Sequence, residues 1–316
     1  MSVTFADIEQ ARERIRPLAK RTPVLTSRGF DMRAGVRTFF KCENFQTGGA
    51  FKIRGAANRI LSLTREELDR GVLAFSSGNH AQATAIAARY AAARATIVMP
   101  LNAPKAKLEA TRAQGAEIVT YDPRSEDREA IARRLAAQTG AVLVPPFDHP
   151  KIIAGQGTAA LELLEDAGPL DALVAPVGGG GLASGCALAA QSRRPGLRMF
   201  AAEPERANDT YLSFRAGERV GIPLADTIAD GLRPPIPGEL TFAILRERLE
   251  DVLLVSEEEI LDAMEFLLTR LKILVEPSGA VAAAAVLFGK LPPNLGSVGV
   301  ILSGGNVDLN LRRALG

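Results

Sequence analysis

The sequence predicts an α/β fold built on a parallel sheet covered by helices on both faces. Two observations carry this. Apolar runs of four to six residues recur along the chain, and each passes through a turn of small residues into an Ala-rich helical stretch. Strands buried on both faces read as continuous apolar runs, and the helices between them serve as crossovers. Composition agrees: the chain has 316 residues, a formal net charge of +2 and 47% apolar residues. These are the values of a globular chain with room for one large or two smaller domains.

The elements follow in order. The opening MSVTFADIEQARERIR is charged and amphipathic, with Thr4 and Asp7 at capping-box spacing, so it predicts a helix and has no signal-peptide core. Val72–Phe75 reads as a strand, followed by the turn Ser76–Asn79 and a helix His80–Ala93. Thr96–Met99 leads to a helix Lys105–Gln114, and Glu117–Thr120 to a helix Glu126–Gln138. Ala172–Val177 meets the run Gly178–Gly181 and then a helix Leu182–Gln191, with Arg198–Ala202 as the next strand. Pro204–Glu239 shows little periodicity and carries four prolines in its last portion, so it predicts a long irregular connection. Ser256 and Glu259 again have capping-box spacing, and Ile260, Leu261, Met264, Leu267, Leu268 and Leu271 share one helical face. Val298–Leu302 ends the series and runs into Ser303–Asn306.

The rare residues exclude whole classes of function. With two Cys (Cys42, Cys186) and two His (His80, His149), a four-ligand Cys/His zinc site would consume all of them, and a hydrolase triad would need one of only two histidines. Two cysteines in a Cys-poor chain read as free thiols of a cytoplasmic protein. Near-neutral charge without a basic run argues against nucleic acid and anionic membranes as partners. The longest uncharged stretch, Ala172–Ser192, is interrupted by Pro176 and four glycines, so it predicts no membrane span.

Ser76–Asn79, Gly178–Gly181 and Ser303–Asn306 each lie just past the carboxyl end of a predicted strand. In open parallel sheets those ends converge on the ligand crevice. The glycine run opens a helix, so its unobstructed N–H groups and the helix dipole suit a phosphate. Gly178, Gly180 and Ala183 also fit G-x-G-x-x-A with Glu203 at the end of the next strand, which leaves a nicotinamide dinucleotide open as a rival ligand.

The segment Lys41-Cys42-Glu43-Asn44-Phe45-Gln46-Thr47-Gly48-Gly49-Ala50-Phe51-Lys52-Ile53-Arg54-Gly55-Ala56 sets a lysine behind a small-residue loop and an aromatic, at the start of a helix, which suits imine chemistry. This stretch resembles the lysine motif of the fold type II pyridoxal-phosphate enzymes, in the family of serine/threonine dehydratases, serine racemases and threo-3-hydroxyaspartate dehydratases. Further matches follow in the family's order: Ser76-Ser77-Gly78-Asn79-His80, Ile153-Ala154-Gly155-Gln156-Gly157-Thr158, Gly178–Gly181 with Leu182, Glu276-Pro277-Ser278-Gly279, and Ser303-Gly304-Gly305-Asn306. Together they span nearly the whole chain.

The resemblance implies a tryptophan synthase β-like fold with two open, mostly parallel sheets. It implies a large cofactor-binding domain of residues 1–60 and 150–316 and a small domain of residues 61–149 inserted in it. Lys52 would carry pyridoxal 5'-phosphate as an imine and then take the Cα proton. Phe51 would pack on the ring, Asn79 would donate to the ring oxygen, and Gly178, Gly179, Gly180, Gly181 and Leu182 would hold the phosphate. Glu276 would line the cofactor, and Ser303 would bond the pyridine nitrogen. A neutral hydroxyl there leaves the ring a weaker electron sink, which favours expelling a β-hydroxyl. Ser76, Ser77, Gly78, Asn79 and His80 would bind the substrate.

The implied activity is an ammonia-lyase (dehydratase) acting on L-serine, L-threonine or L-threo-3-hydroxyaspartate. The alternative is a serine or aspartate racemase with Lys52 and Ser77 on opposite faces of Cα; Ser77 could equally cap the following helix or bind the carboxylate. Arg128 would pair with a distal substrate carboxylate, or serve as a surface helix charge. Glu203, the Ala207 carbonyl and Asp209 would hold a divalent cation, magnesium or calcium, against the plain reading of a solvated acidic loop. A homodimer is implied as well.

The chain also departs from the family. Thr47 replaces a basic residue, which counts against nucleotide activation, and Gly48 and Ala50 replace hydroxyl residues. Pro234-Pro235 follows Asp230-Gly231-Leu232-Arg233 where the racemases carry a serine. The chain ends soon after Ser303, which leaves no room for the regulatory domain of biosynthetic threonine dehydratases. A non-catalytic amino-acid-binding protein on the same scaffold is the remaining alternative.

Overall fold

The computed structural model describes residues 3–103 and 105–307, and the chain starts as its capping residues dictate. Thr4 Oγ1 accepts the Asp7 N–H while the Asp7 carboxylate accepts the Thr4 N–H, which opens α1 (Phe5–Ile15). Then come β1 (Val24–Leu25), α2 (Arg28–Ala34), β2 (Arg37–Cys42), α3 (Lys52–Ile60) and α4 (Arg65–Arg70). Strands and helices then alternate strictly: β3 (Val72–Phe75), α5 (Asn79–Tyr90), β4 (Ala95–Pro100), α6 (Lys105–Ala113), β5 (Glu117–Tyr121), α7 (Arg128–Thr139) and β6 (Val142–Leu143). The rest comprises α8 (Pro150–Ala167), β7 (Ala172–Pro176), α9 (Gly181–Arg193), β8 (Arg198–Pro204), α10 (Asp209–Ala216), α11 (Glu239–Arg248), β9 (Asp251–Val255), α12 (Glu257–Phe266), α13 (Pro277–Leu287) and β10 (Ser297–Leu302).

Two sheets result. The smaller has the order β5-β4-β3-β6 and is parallel throughout; the larger has the order β1-β2-β10-β7-β8-β9 and is parallel except at β1. Helices cover both faces of the larger sheet, and period-2 alternation sorts its side chains between them. Leu173, Ala175 and Ile301 pack with the α1, α8 and α9 residues, whereas Val174, Val298 and Val300 pack with those of α12 and α13. α8 and α9 cross closely, because a Cβ at Gly157 would lie 2.6 Å from the Gly185 carbonyl.

Two expectations change in detail. The face predicted after Ser256 breaks at Phe266, where a π-turn of Leu267–Leu271 widens the helix and shifts its phase, leaving Leu268 49% exposed. The connection after Pro204 is not wholly irregular. It contains α10, whose last turn is held by Ser213, which donates to the Asp209 carbonyl and accepts the Val220 N–H.

Candidate active site

Lys52 is the first residue of α3, and the loop before it is tied down from two sides. Gln46 Oε1 accepts the N–H groups of Lys20 and Thr47, and Phe51 N–H donates to the Ser303 carbonyl beside the Ala50–Gly304 bridge. The lysine loop is thereby sewn to the turn that follows β10. Lys52 is half-buried as a residue, but its amine end lies inside, 2.8 Å from the Pro146 carbonyl and 5.1 Å from the Phe51 ring centroid. Burial pulls its pKa down to about 8, against a partial upward pull from Glu276.

Behind Lys52, α3 is anchored by a buried ionic cluster. Arg54 donates to Glu43, Glu162 and Thr158, and Lys41 donates to Glu162 and to the Thr22 carbonyl. Burial alone would weaken these charges. Glu43 and Glu162 outweigh it at Arg54, whose pKa is raised, and Arg54 with Lys41 outweighs it at Glu162, whose pKa is lowered.

The glycine run packs against Phe147, the residue that follows the Pro146 whose carbonyl meets Lys52. A Cβ at Gly179 would fall 2.2 Å from the Phe147 ring, and Gly180 sits at φ +93°, so side chains are barred here by space and by conformation. The carbonyls face outward: Gly179 O accepts from Thr241 Oγ1 at 2.7 Å and Gly178 O from Thr210 Oγ1 at 3.4 Å. Among the described residues no acceptor meets the N–H groups of Gly178 to Leu182. Such a row of free donors at the head of a thirteen-residue helix suits a phosphate dianion. The dinucleotide alternative fares worse. Glu203 is fully buried, with Oε1 accepting the Tyr211 N–H at 2.6 Å at the start of α10, so it is not exposed to a ribose.

The third turn joins the same site. Asn79 Nδ2 donates to Glu276 Oε1 at 2.7 Å, and Asn306 Nδ2 donates to Asn79 Oδ1 at 2.9 Å and to the Gly48 carbonyl at 2.7 Å. Glu276 N–H reaches the Gly304 carbonyl, and the buried Ser303 hydroxyl lies 3.4 Å from the Ser278 carbonyl. The structure thus gathers Lys52, Asn79, Glu276, Ser303 and the glycine run around one space. Ser76 Oγ accepts the Gly78 N–H, and Ser77 is half-buried at the tip of that turn.

His80 faces the interior and donates through Nε2 to the Val144 carbonyl; burial, then the Lys52 charge, depresses its pKa to about 3. Arg128 is exposed at the start of α7, 5.8 Å from the ring centroid of Phe75 at the end of β3. Asn306 and Pro146 received no role from the sequence. Asn306 ends a legible motif, whereas a backbone carbonyl such as that of Pro146 leaves no side-chain signal.

Glu203 and Asp209 form a separate buried pair. Both are 0% exposed, and Glu203 Oε2 and both Asp209 oxygens lack a hydrogen-bond partner. Burial raises both carboxyls, Asp209 to about 7, and the Asp209 charge lifts Glu203 further. Among the described residues no three His, Cys, Asp or Glu side chains gather as a metal site; the third candidate ligand, Ala207, would contribute only its backbone carbonyl.

The family described as "Pyridoxal-phosphate dependent enzyme" matches residues 15–304. An L-threo-3-hydroxyaspartate ammonia-lyase of Saccharomyces cerevisiae is 51% identical over 306 residues, 97% of this chain and 94% of that protein. A serine racemase of Schizosaccharomyces pombe is 47% identical, over 97% of this chain and 95% of that protein. Among solved structures, maize serine racemase superposes with a TM-score of 0.95 at 43% identity, over 100% of this chain and 97% of its own.

Proposed function

The chain belongs to the pyridoxal-phosphate dependent enzymes, and from that premise we propose that it is an ammonia-lyase for β-hydroxy amino acids, with L-threo-3-hydroxyaspartate as its preferred substrate. The observation that carries the reading is the desolvated Lys52 amine, with a pKa of about 8, held on the Pro146 carbonyl next to the Phe147 against which a row of unpaired N–H donors packs. When bound, the cofactor would supply an electron sink for the charge that develops at Cα.

The residues present fit that group. The N–H groups of Gly178–Gly181 and Leu182 would hold the phosphate, Phe51 would pack on the ring, and Ser303 would offer a neutral hydroxyl to the pyridine nitrogen. Asn79 keeps one amide hydrogen on Glu276 and has its carbonyl occupied by Asn306, so its second hydrogen is free for the ring oxygen. Lys52 takes the Cα proton. The β-hydroxyl leaves as water on taking up a proton, which the protonated Lys52 would return, and addition of water to the released enamine yields a 2-oxo acid and ammonia.

The turn Ser76–His80 binds the α-carboxylate, and Arg128 receives the distal one by bidentate pairing. The name of the yeast relative and the position of Arg128 beside β3 both favour the dicarboxylic substrate. A second reading, racemisation, is favoured by Ser77, whose hydroxyl has no partner among the described residues, and by the name of the fission-yeast relative.

Glu203, the Ala207 carbonyl and Asp209 take a magnesium or calcium ion; the unpaired buried carboxylate oxygens support this, since buried charges need a counter-charge. Residues 61–149, which carry the smaller sheet, form the small domain. The chain works as a cytoplasmic homodimer, in line with its two free buried thiols and with exposed Phe45 and Leu274 close to the lysine loop.

The test is 2-oxo acid release from L-serine, L-threonine and L-threo-3-hydroxyaspartate, side by side with magnesium. The dicarboxylate should win. A win for serine or threonine would remove Arg128 from the pocket, and no oxo acid from any of them, with D-serine or D-aspartate formed instead, would turn the reading to the racemase.

A further inference from the structure

Gln156 lies in α8 between two helices that each present a first turn to the site. A Cβ at Gly55 on α3 would stand 3.0 Å from Gln156 Nε2, and a Cβ at Gly181, the first residue of α9, would stand 2.5 Å from Gln156 Oε1. The amide therefore fills the gap between the lysine helix and the helix that the glycine run opens. The residue is 1% exposed, and neither Nε2 nor Oε1 has a hydrogen-bond partner among the described residues. A buried primary amide with both ends unsatisfied costs about 1–3 kcal/mol per group, a loss that an apolar side chain of the same size would avoid. An amide at this place makes sense if something outside the chain bonds to it.

The N–H donors of Gly178 to Leu182, which Gln156 meets at Gly181, are likewise without an acceptor among the described residues. Donors do not satisfy one another, but an oxyanion satisfies all of them together. We propose that Gln156 is the side-chain member of the anion cradle and donates its amide hydrogens to the phosphate held by the glycine run. A half-turn of the amide about its last torsion brings Nε2 to the Gly181 side. That rotation exchanges two groups of nearly equal size, so the crowded slot permits it. Because Gln156 also touches Gly55, phosphate binding is transmitted to α3 and so to the placement of Lys52. The residue binds the cofactor at one end and positions the lysine at the other.

The inference rests on the pyridoxal-phosphate reading, and the experiment separates the two. Wild-type and variant proteins are equilibrated by dialysis with graded pyridoxal 5'-phosphate or with pyridoxal, which has the same aldehyde and ring without the phosphate. Loading is read from the visible absorbance of the bound cofactor. Gln156→Leu should weaken pyridoxal phosphate about tenfold and leave pyridoxal within about twofold, since a bond to a charged group is lost. Gln156→Glu is isosteric and sets a negative charge against the dianion. It should weaken pyridoxal phosphate more than the leucine variant does, again sparing pyridoxal, and it should shift the cofactor's phosphorus resonance. Equal weakening of both ligands, or no change in either, would overturn the proposal. If Gln156→Leu does not fold, the glutamate variant decides by the same comparison. Failure of the wild-type protein to load pyridoxal phosphate would instead sink the cofactor reading itself.

Discussion

Lys52 owes its reactivity to a place that strips water from the amine without giving it a full counter-charge. Glu276 pulls its pKa upward, but desolvation prevails, and the amine is half neutral at about pH 8. Only the neutral amine attacks an aldehyde. The rate of pyridoxal phosphate uptake by the chain should therefore rise with pH around a midpoint near 8, and stopped-flow absorbance reads it; a midpoint close to that of free lysine would mean that the amine is solvated. His80 is neutral throughout this range, because burial holds its pKa near 3, so it adds no second limb to the profile. Arg128 acts at the other end of the substrate. Arg128→Ala should raise KM for L-threo-3-hydroxyaspartate about tenfold or more while leaving L-serine little changed, as the loss of one charged hydrogen-bond partner predicts. A parallel rise for both substrates would place the arginine outside the pocket.

Helix α3 must present Lys52 at one angle, and the buried cluster behind it fixes that angle. Arg54 is fully buried, with Glu43 on one side and Glu162 of α8 on the other, so the helix cannot turn without breaking charged bonds. Arg54→Met would leave two carboxylates buried with Lys41 as their remaining cation. Removal of one partner from a buried ion pair costs about 3–5 kcal/mol, which urea unfolding would show as a lower midpoint. A midpoint within error of wild type would mean that water enters the cluster. This cluster also explains what the sequence hid. β3 was legible to the residue because Val72–Phe75 is apolar from end to end, but β2, Arg37–Cys42, was not, because Lys41 reads as a surface charge until its partner Glu162 arrives from α8. The site was legible in the same uneven way. Turns announce themselves by glycine, serine and asparagine, so Gly178–Gly181 and Ser303–Asn306 stood out, whereas the Pro146 carbonyl and the orphaned Gln156 amide appear only once α3, α8 and α9 have packed.

At the scale of the molecule, the Glu203–Asp209 pair joins the end of β8 to the start of α10, and a bound cation would brace that corner of the larger sheet. By mass action, a cation at about 100 times its Kd adds about 2.7 kcal/mol to stability. Chelation should lower Tm by several degrees and added magnesium or calcium should restore it; an unchanged Tm would mean that the pair holds no ion. The sheet order carries a consequence for how the protein is made. β2 (Arg37–Cys42) is synthesised well before its parallel partner β10 (Ser297–Leu302), so the lysine-bearing segment waits until the residues between them have left the ribosome. At about 5–20 residues per second that wait is on the order of tens of seconds. The smaller sheet, complete at Leu143, can close long before. The nascent chain therefore trails an apolar strand with one open edge while the smaller sheet is already standing, and it is during that interval that a cell's chaperones would decide its yield.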